Sequence, residues 1–430
     1  MAELPVSPRR LLAAAISGTL LLGSLMAQPA GADTGSAAEP ACAWSGRASI
    51  DDRNALFPEN HAAYWAFGYT VSSDLRISLA GRFPDSRFAS LTVYKGEGGV
   101  VQVDGVDPTL TDYEIVPDAG TINPWQHRRH HPSLAPGSFT IDVVSDPGPD
   151  AVNTLPLAPA GTPDGTQGLL IYRIYLPTGG DFDDVPLPQV TLHRDGGSTT
   201  LPGCSGEEAP ATGLKAGSRE ARRSGTSTDI TFALPASEVG ILPNTDSGYV
   251  AATVTPPGAD EVLVIRGRGA TSADGEHPSP WPQHETDLRY WSLCTNLDNV
   301  QRSLVANPMP DGTTDYGCRN DDETTLDASG YYTYVLGTEA QRAAIEQIPD
   351  VTFVPFSAAR PTAQHVIFLR NMLAGSRFEQ AIQNITEHED PAAAQAVMGD
   401  YYPRDAICPL ETLQTAGASA CVDGLSELGA

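Results

Sequence analysis

Two stretches of this 430-residue chain carry the same charged pattern. "DSRFASLTVY" (85–94) and "DLRYWSLCTN" (287–296) match Asp85, Arg87, Phe88 and Ser90 with Asp287, Arg289, Tyr290 and Ser292. On an extended strand residues i and i+2 share a face, so Asp85 and Arg87 should point the same way, as should Asp287 and Arg289. Such a pair can form an ion pair, or the Arg can donate to the carbonyls of a neighbouring loop. The alternative chemistry is an anion clamp made of Arg82, Arg87, Arg268 and Arg289. Retention of the motif in two places favours the structural role. Folding demands a scaffold motif of both copies, whereas a single site is set by what the copies do not share.

What they do not share is a loop. The first copy has "NPWQHRRHHPS" (123–133) where the second has "CRNDDETTLDAS" (318–329). Trp125 beside His127, Arg128, Arg129 and His130 is the pattern of an exposed aromatic and basic patch for an acidic or sugar ligand. Metal binding by His127, His130 and His131 is the weaker reading. No helix signal sets two of them on one face, and Arg128 and Arg129 repel a cation. Asp321, Asp322 and Glu323 could contribute oxygens to calcium. No EF-hand pattern surrounds them, and a solvated acidic loop is the expectation, as for "DFDD" (181–184).

The sequence contains no G-x-S-x-G, P-loop, H-E-x-x-H or complete G-x-G-x-x-G motif. Paired carboxylates for glycoside hydrolysis come from distant strands and leave no local motif. Glu59, Asp104, Asp112 and Glu114 are available for that role in the first half, and Asp311 and Asp315 in the second.

These residues sit on a tandem repeat. "ALFPENHAAYWAFGYT" (55–70) aligns without gaps to "GILPNTDSGYVAATVT" (240–255), placing Pro58 on Pro243 and Tyr64 on Tyr249. Gly81-Arg82 then falls on Gly267-Arg268. "GSFTIDVV" (137–144) matches "GYYTYVLG" (330–337), "NTLPLAPA" (153–160) matches "TFVPFSAA" (352–359), and Arg173 falls on Arg370. The repeated segments are short, β-branched and aromatic, and are bounded by Gly, Pro, Asp and Asn, which predicts strands. Helices are expected late: capping boxes at 338–341 and 376–379, the second opening "FEQAIQNI", and Asp390-Pro391 opening a third.

The start, 1–32, has the form of an export signal. Arg9 and Arg10 precede an apolar run, and Ala30-Gly31-Ala32 supplies a small-residue cleavage site. The Arg pair leaves both the general secretory and the twin-arginine routes open. The six cysteines, Cys42, Cys204, Cys294, Cys318, Cys408 and Cys421, then predict three disulfides, paired by position in that order. A net charge of −27 repels phosphate backbones and excludes nucleic acid as a partner. The segment 205–227 is polar, with the composition of a linker.

"FPDSRFASLTVY" and "NTLPLAPAGTPDGTQGLLIYRIYLP" resemble bacterial secreted and envelope proteins built from paired domains of unknown function. The resemblance implies two jelly-roll-like halves and no established activity. The expectation is an all-β, secreted protein with β-sandwich domains at 43–204 and 228–430, the second ending in a helical tail. Its expected function is non-catalytic binding of an extracellular glycan or envelope component. A glycan hydrolase with carboxylates between the sandwiches, and a structural envelope protein, are the alternatives. No cofactor is expected beyond the weak calcium reading, and no transmembrane segment in the mature chain.

Overall fold

The computed structural model describes residues 39–422 apart from 53, 56, 97, 104, 127–136, 206–229, 237–241, 274 and 300. The expected leader, nearly all of the expected linker, Asp104 and the loop residues His127, Arg128, Arg129, His130 and His131 lie outside the described residues.

Strands dominate. The first half contributes β1 (Ser45–Ala48), β2 (Ala62–Thr70), β3 (Arg76–Arg82), β4 (Ser86–Lys95), β5 (Thr109–Thr111), β6 (Ser138–Val144), β7 (Thr154–Pro156), β8 (Gln167–Pro177), β9 (Gln189–Arg194) and β10 (Gly197–Thr200). They form two sheets, ordered β1-β2-β8-β4-β5 and β10-β9-β3-β6-β7. The second half contributes β11 (Ser247–Val254), β12 (Glu261–Arg268), β13 (Leu288–Leu297), β14 (Ala306–Pro308), β15 (Thr314–Tyr316), β16 (Cys318–Asn320), β17 (Tyr331–Gly337), β18 (Thr352–Pro355), β19 (His365–Ala374) and β20 (Arg404–Pro409). Its sheets run β11-β19-β13-β16 and β18-β17-β12-β20, with β14 and β15 as a separate ribbon. The fold is all-β, with sandwich-like sheet pairs.

The repeated residues occupy the same registers in both halves. Ser90 lies opposite Arg173, and Ser292 opposite Arg370. Tyr64 lies opposite Arg173, and Tyr249 opposite Arg370. Gly81 pairs with Phe139, and Gly267 with Tyr332. Even the parallel pair recurs: Val144 beside Pro156, and Gly337 beside Pro355.

Burial differs from strand to strand. β6 and β9 bury alternate residues, as a half-solvated strand does. β4, β8, β13 and β19 are buried on nearly every residue, so both their faces are covered. One face packs on the core of its own half. The other meets the opposite half through Ala62, Phe88, Tyr175, Leu176, Tyr290 and Met372, with the Tyr175 and Tyr290 rings 5.4 Å apart.

Three disulfides form as their order in the chain suggested: Cys42–Cys204, Cys294–Cys318 and Cys408–Cys421. Two helices appear where their caps predicted them. α1 (Glu339–Ile345) has the Thr338/Gln341 capping box, and α2 (Pro391–Met398) has Asp390 accepting from the Ala392 and Ala393 amides. The expected helix at 376–385 does not form beyond the three-residue turn Ile382–Asn384. The Asn384 amide donates to the carbonyls of Phe378 (3.4 Å) and Glu379 (3.0 Å), which a helix would have used itself. α3 (Leu410–Val422), which no cap signal marked but which forms the expected helical tail, buries Leu413, Cys421 and Val422 over Val262 and Val264 of β12.

Candidate functional site

The recurring arginines meet at the seam between the halves. Each starts a central strand, and each crosses to the other half. Arg87 directs Nη1 to both oxygens of Asp321 at 2.7 Å, Nη2 to Asp322, and Nε to the Gly275 carbonyl at 2.5 Å. Arg289 directs Nη2 to Asp112 at 3.2 Å and Nη1 to the Arg87 carbonyl at 2.9 Å. The two acceptors are equivalent: Asp112 follows β5 and Asp321 follows β16, the edge strands paired with β4 and β13. Both guanidinium groups are fully buried. Burial pushes the Asp112 carboxyl up to about 6 against the pull of Arg289, and the Asp321 carboxyl up to about 6 against that of Arg87.

The expected pairing within each motif is therefore not made. Asp85 and Asp287 precede the first residues of β4 and β13, so strand alternation does not govern them. Asp85 instead takes the His277 Nδ1 at 3.1 Å, and Asp287 accepts from the Thr271 amide at 3.0 Å.

A second reciprocal contact lies further along the seam. The loop before β2 brings Glu59 onto the second half, where Arg370 and Ser292 (2.8 Å) donate to its carboxylate. The matching loop before β11 lays the Pro243 carbonyl on the Tyr94 hydroxyl (2.7 Å) and Asp246 on the Thr111 hydroxyl (3.2 Å) of the first half. Arg173 donates to Tyr94 and to Thr92 Oγ1 (3.0 Å). One Asp246 oxygen, Oδ2, is buried without a partner, and desolvation, eased by Arg173 and reinforced by Glu114, pushes this carboxyl up to about 7. These partners escaped the sequence reading, although the alignment of Arg173 with Arg370 and Pro58 with Pro243 marked the places.

Trp125 corrects the expectation of an exposed binding aromatic. It is 0% exposed, its ring lies 6.0 Å from that of Phe83, and its indole N–H donates to the Arg87 carbonyl at 3.2 Å. Large and apolar, it fills the end of the first core and offers no face to a ligand. The acidic loop is no open cation cage either. Asp321 and Asp322 are bound to Arg87, and Glu323 accepts from the Asn320 amide (3.0 Å) and contacts His61 (3.2 Å). In "DFDD", Asp183 pairs with Arg47 at 2.6 Å.

The described carboxylates considered for hydrolysis are likewise engaged. Glu59 and Asp112 are held as above, and Glu114 accepts from the Thr111 amide at 3.0 Å. Asp315 pairs with Arg319 and Arg342, and Asp311 accepts from the Thr313 amide at 2.9 Å. Among the described residues, one group of metal-ligand types comes close together: Glu59, Cys294 and Cys318, within 4.8 Å. Both sulfurs are in a disulfide and Arg370 already shares the carboxylate, so the group has no thiolate to give.

No family model matches the chain, and no curated protein does. Among solved structures it is similar to an uncharacterized protein from Burkholderia cenocepacia, at 15% identity over 86% of this chain and 83% of the other, with a TM-score of 0.46. It is also similar to the VPA0106 protein from Vibrio parahaemolyticus, at 10% identity over 83% and 92%, with a TM-score of 0.40. Among the described residues, no helix is long and apolar enough to cross a membrane.

Proposed function

We propose that this is an exported, non-catalytic binding protein of the extracellular or envelope space, with a glycan as its ligand, in the class of paired-domain envelope proteins that its strand motifs resemble. The observation that carries the non-catalytic part is the occupation of the seam. A hydrolase between the sandwiches needs two carboxylates facing a substrate-sized gap. Here Glu59, Asp112 and Asp321 face arginines of the opposite half, at the cost of full desolvation. Three disulfides suit an oxidising compartment and support the export signal inferred from 1–32. The glycan as ligand rests on analogy of fold alone.

The test is incubation of the purified protein with a panel of envelope polysaccharides, scoring retained protein and released reducing ends together. Retention without new reducing ends is the expected result. Release of reducing ends overturns the non-catalytic reading, and absence of retention overturns the glycan.

A further inference from the structure

The loops that open each repeat, 57–61 and 242–246, are equivalent, and each reaches across the seam to the other half. Each is pinned from behind in the same way. Leu176 and Leu373, at matching positions on β8 and β19, hold a left-handed backbone that leucine rarely adopts, φ 47° and 46°. Their amides donate to the carbonyls of His61 and Asp246, both at 2.9 Å. His61 and Asp246 therefore start from the same point in the two halves. Their side chains turn to equivalent residues, Glu323 and Glu114. Each glutamate accepts from the amide three residues before it, Asn320 and Thr111, both at 3.0 Å.

The two contacts differ in charge. In one, the His61 side chain, 14% exposed, sets Nδ1 3.3 Å from Glu59 and Nε2 3.2 Å from Glu323. A neutral imidazole has one N–H, and only the imidazolium donates to both carboxylates. The Asn60 amide also meets Nε2, at 3.2 Å, and its Oδ1 has no donor. With that amide turned over, the same ring N–H serves the orphaned oxygen as well. In the other contact an acid stands in place of the imidazole. Asp246 Oδ1 takes the Thr111 hydroxyl at 3.2 Å and Glu114 takes the Thr111 amide, so two carboxylates converge on one residue. The second Asp246 oxygen is buried without a donor, and a proton between the two acids relieves both the burial and the repulsion.

We propose that these two contacts form a proton-operated latch, which holds both loops on the opposite half at mildly acid pH and releases them as pH rises above neutral. On the His61 side, loss of the proton leaves one N–H for two carboxylates and removes the positive charge set between them. On the Asp246 side, it leaves two anions facing one another over Thr111. Both arms act in one direction. The neighbouring charges do not reverse it. Arg370 holds Glu59, and against desolvation His61, with a smaller pull from Arg319, keeps the Glu323 carboxyl below its ordinary value. Around Asp246, desolvation works with Glu114 and Asp112 against the pull of Arg173, and the proton is favoured. Tyr113 leans its hydroxyl on Glu114 at 3.4 Å and adds no cation.

The experiment follows hydrogen exchange of segments 57–61 and 242–246 in the whole protein at about pH 6 and about pH 8.5. Rates are corrected for the chemical exchange rate at each pH, and β3 and β6 serve as reference. In the unaltered protein both loops should open about tenfold more at the higher pH while the reference stays level, as follows when a proton bound only in the closed form is lost. Asp246→Asn and Glu114→Gln each remove the facing anions and should cut the rise at 242–246 to about threefold or less. His61→Gln, neutral at every pH, should leave 57–61 open already at the lower pH. Equal opening at both pH values in the unaltered protein overturns the latch. So does a rise that all three variants keep, and an effect of the acid variants without one of His61→Gln overturns its paired form. Glu114 is exposed and its glutamine keeps an acceptor for the Thr111 amide, so this variant should keep the fold, checked by its circular dichroism.

Discussion

Arg289 rests on Asp112, a residue 177 positions earlier in the chain, while its counterpart Arg87 rests on Asp321, 234 positions later. Each half thus supplies a cation and an anion to the other, and the seam closes only when both halves are folded. Removing one partner leaves a buried charge unmatched. Arg289→Met or Asp112→Leu alone should therefore cost about 3–5 kcal/mol, whereas the two together should cost far less. Urea unfolding of the two single variants and the double variant gives the coupling energy. A coupling near zero would mean that the pair does not hold the seam.

The Asp246 carboxyl makes stability depend on pH near neutrality. Its folded pKa, about 7, lies above the ordinary value of 3.8 expected when unfolded. The folded state then binds the extra proton, so the contribution is fully present below about 3.8 and is lost as pH rises through 7. Asp112 and Asp321, near 6, act in the same direction but have largely titrated by pH 6.5. The melting temperature should fall between pH 6.5 and 8, and Asp246→Asn should flatten that fall. An equal slope in the variant would remove Asp246 as its cause.

The strands, the repeat and the disulfide order were legible because each rests on local pattern: β-branched runs, turn residues and spacing. The arginine motif was legible as scaffold for the same reason, but its partners were not. Spacing says which side of a strand Arg87 takes and nothing about what lies across a seam 234 residues away. Trp125 misled because its neighbours 127–130 are polar, and burial of one residue in a polar loop is decided by the cavity beneath it. The helix at 376–379 misled because a capping box satisfies donors at its start and does not stop Asn384 from taking the carbonyls further on.

Loop length ranks the disulfides. Cys42–Cys204 closes 162 residues, Cys294–Cys318 closes 24 and Cys408–Cys421 closes 13. On the chain-entropy account these are worth on the order of 5, 3.5 and 3 kcal/mol. Replacing each pair by alanines and measuring unfolding in urea should give that order. A larger loss at Cys408–Cys421 than at Cys42–Cys204 would show that native packing around α3, and not the unfolded chain, sets the effect.

Trp125 separates packing from binding. With its ring enclosed and its N–H on the Arg87 carbonyl, Trp125→Ala removes a large core side chain and one buried donor. The loss should be about 3–5 kcal/mol, the range for tryptophan truncated in a core. Because the Arg87 carbonyl also accepts from Arg289, part of the damage should spread to the seam, and Trp125→Ala combined with Arg289→Ala should cost less than the two losses added together. Glycan affinity of the fraction that remains folded should match the unaltered protein. If affinity collapsed while the melting temperature held, the first half's loop, and not its core, would be what Trp125 serves.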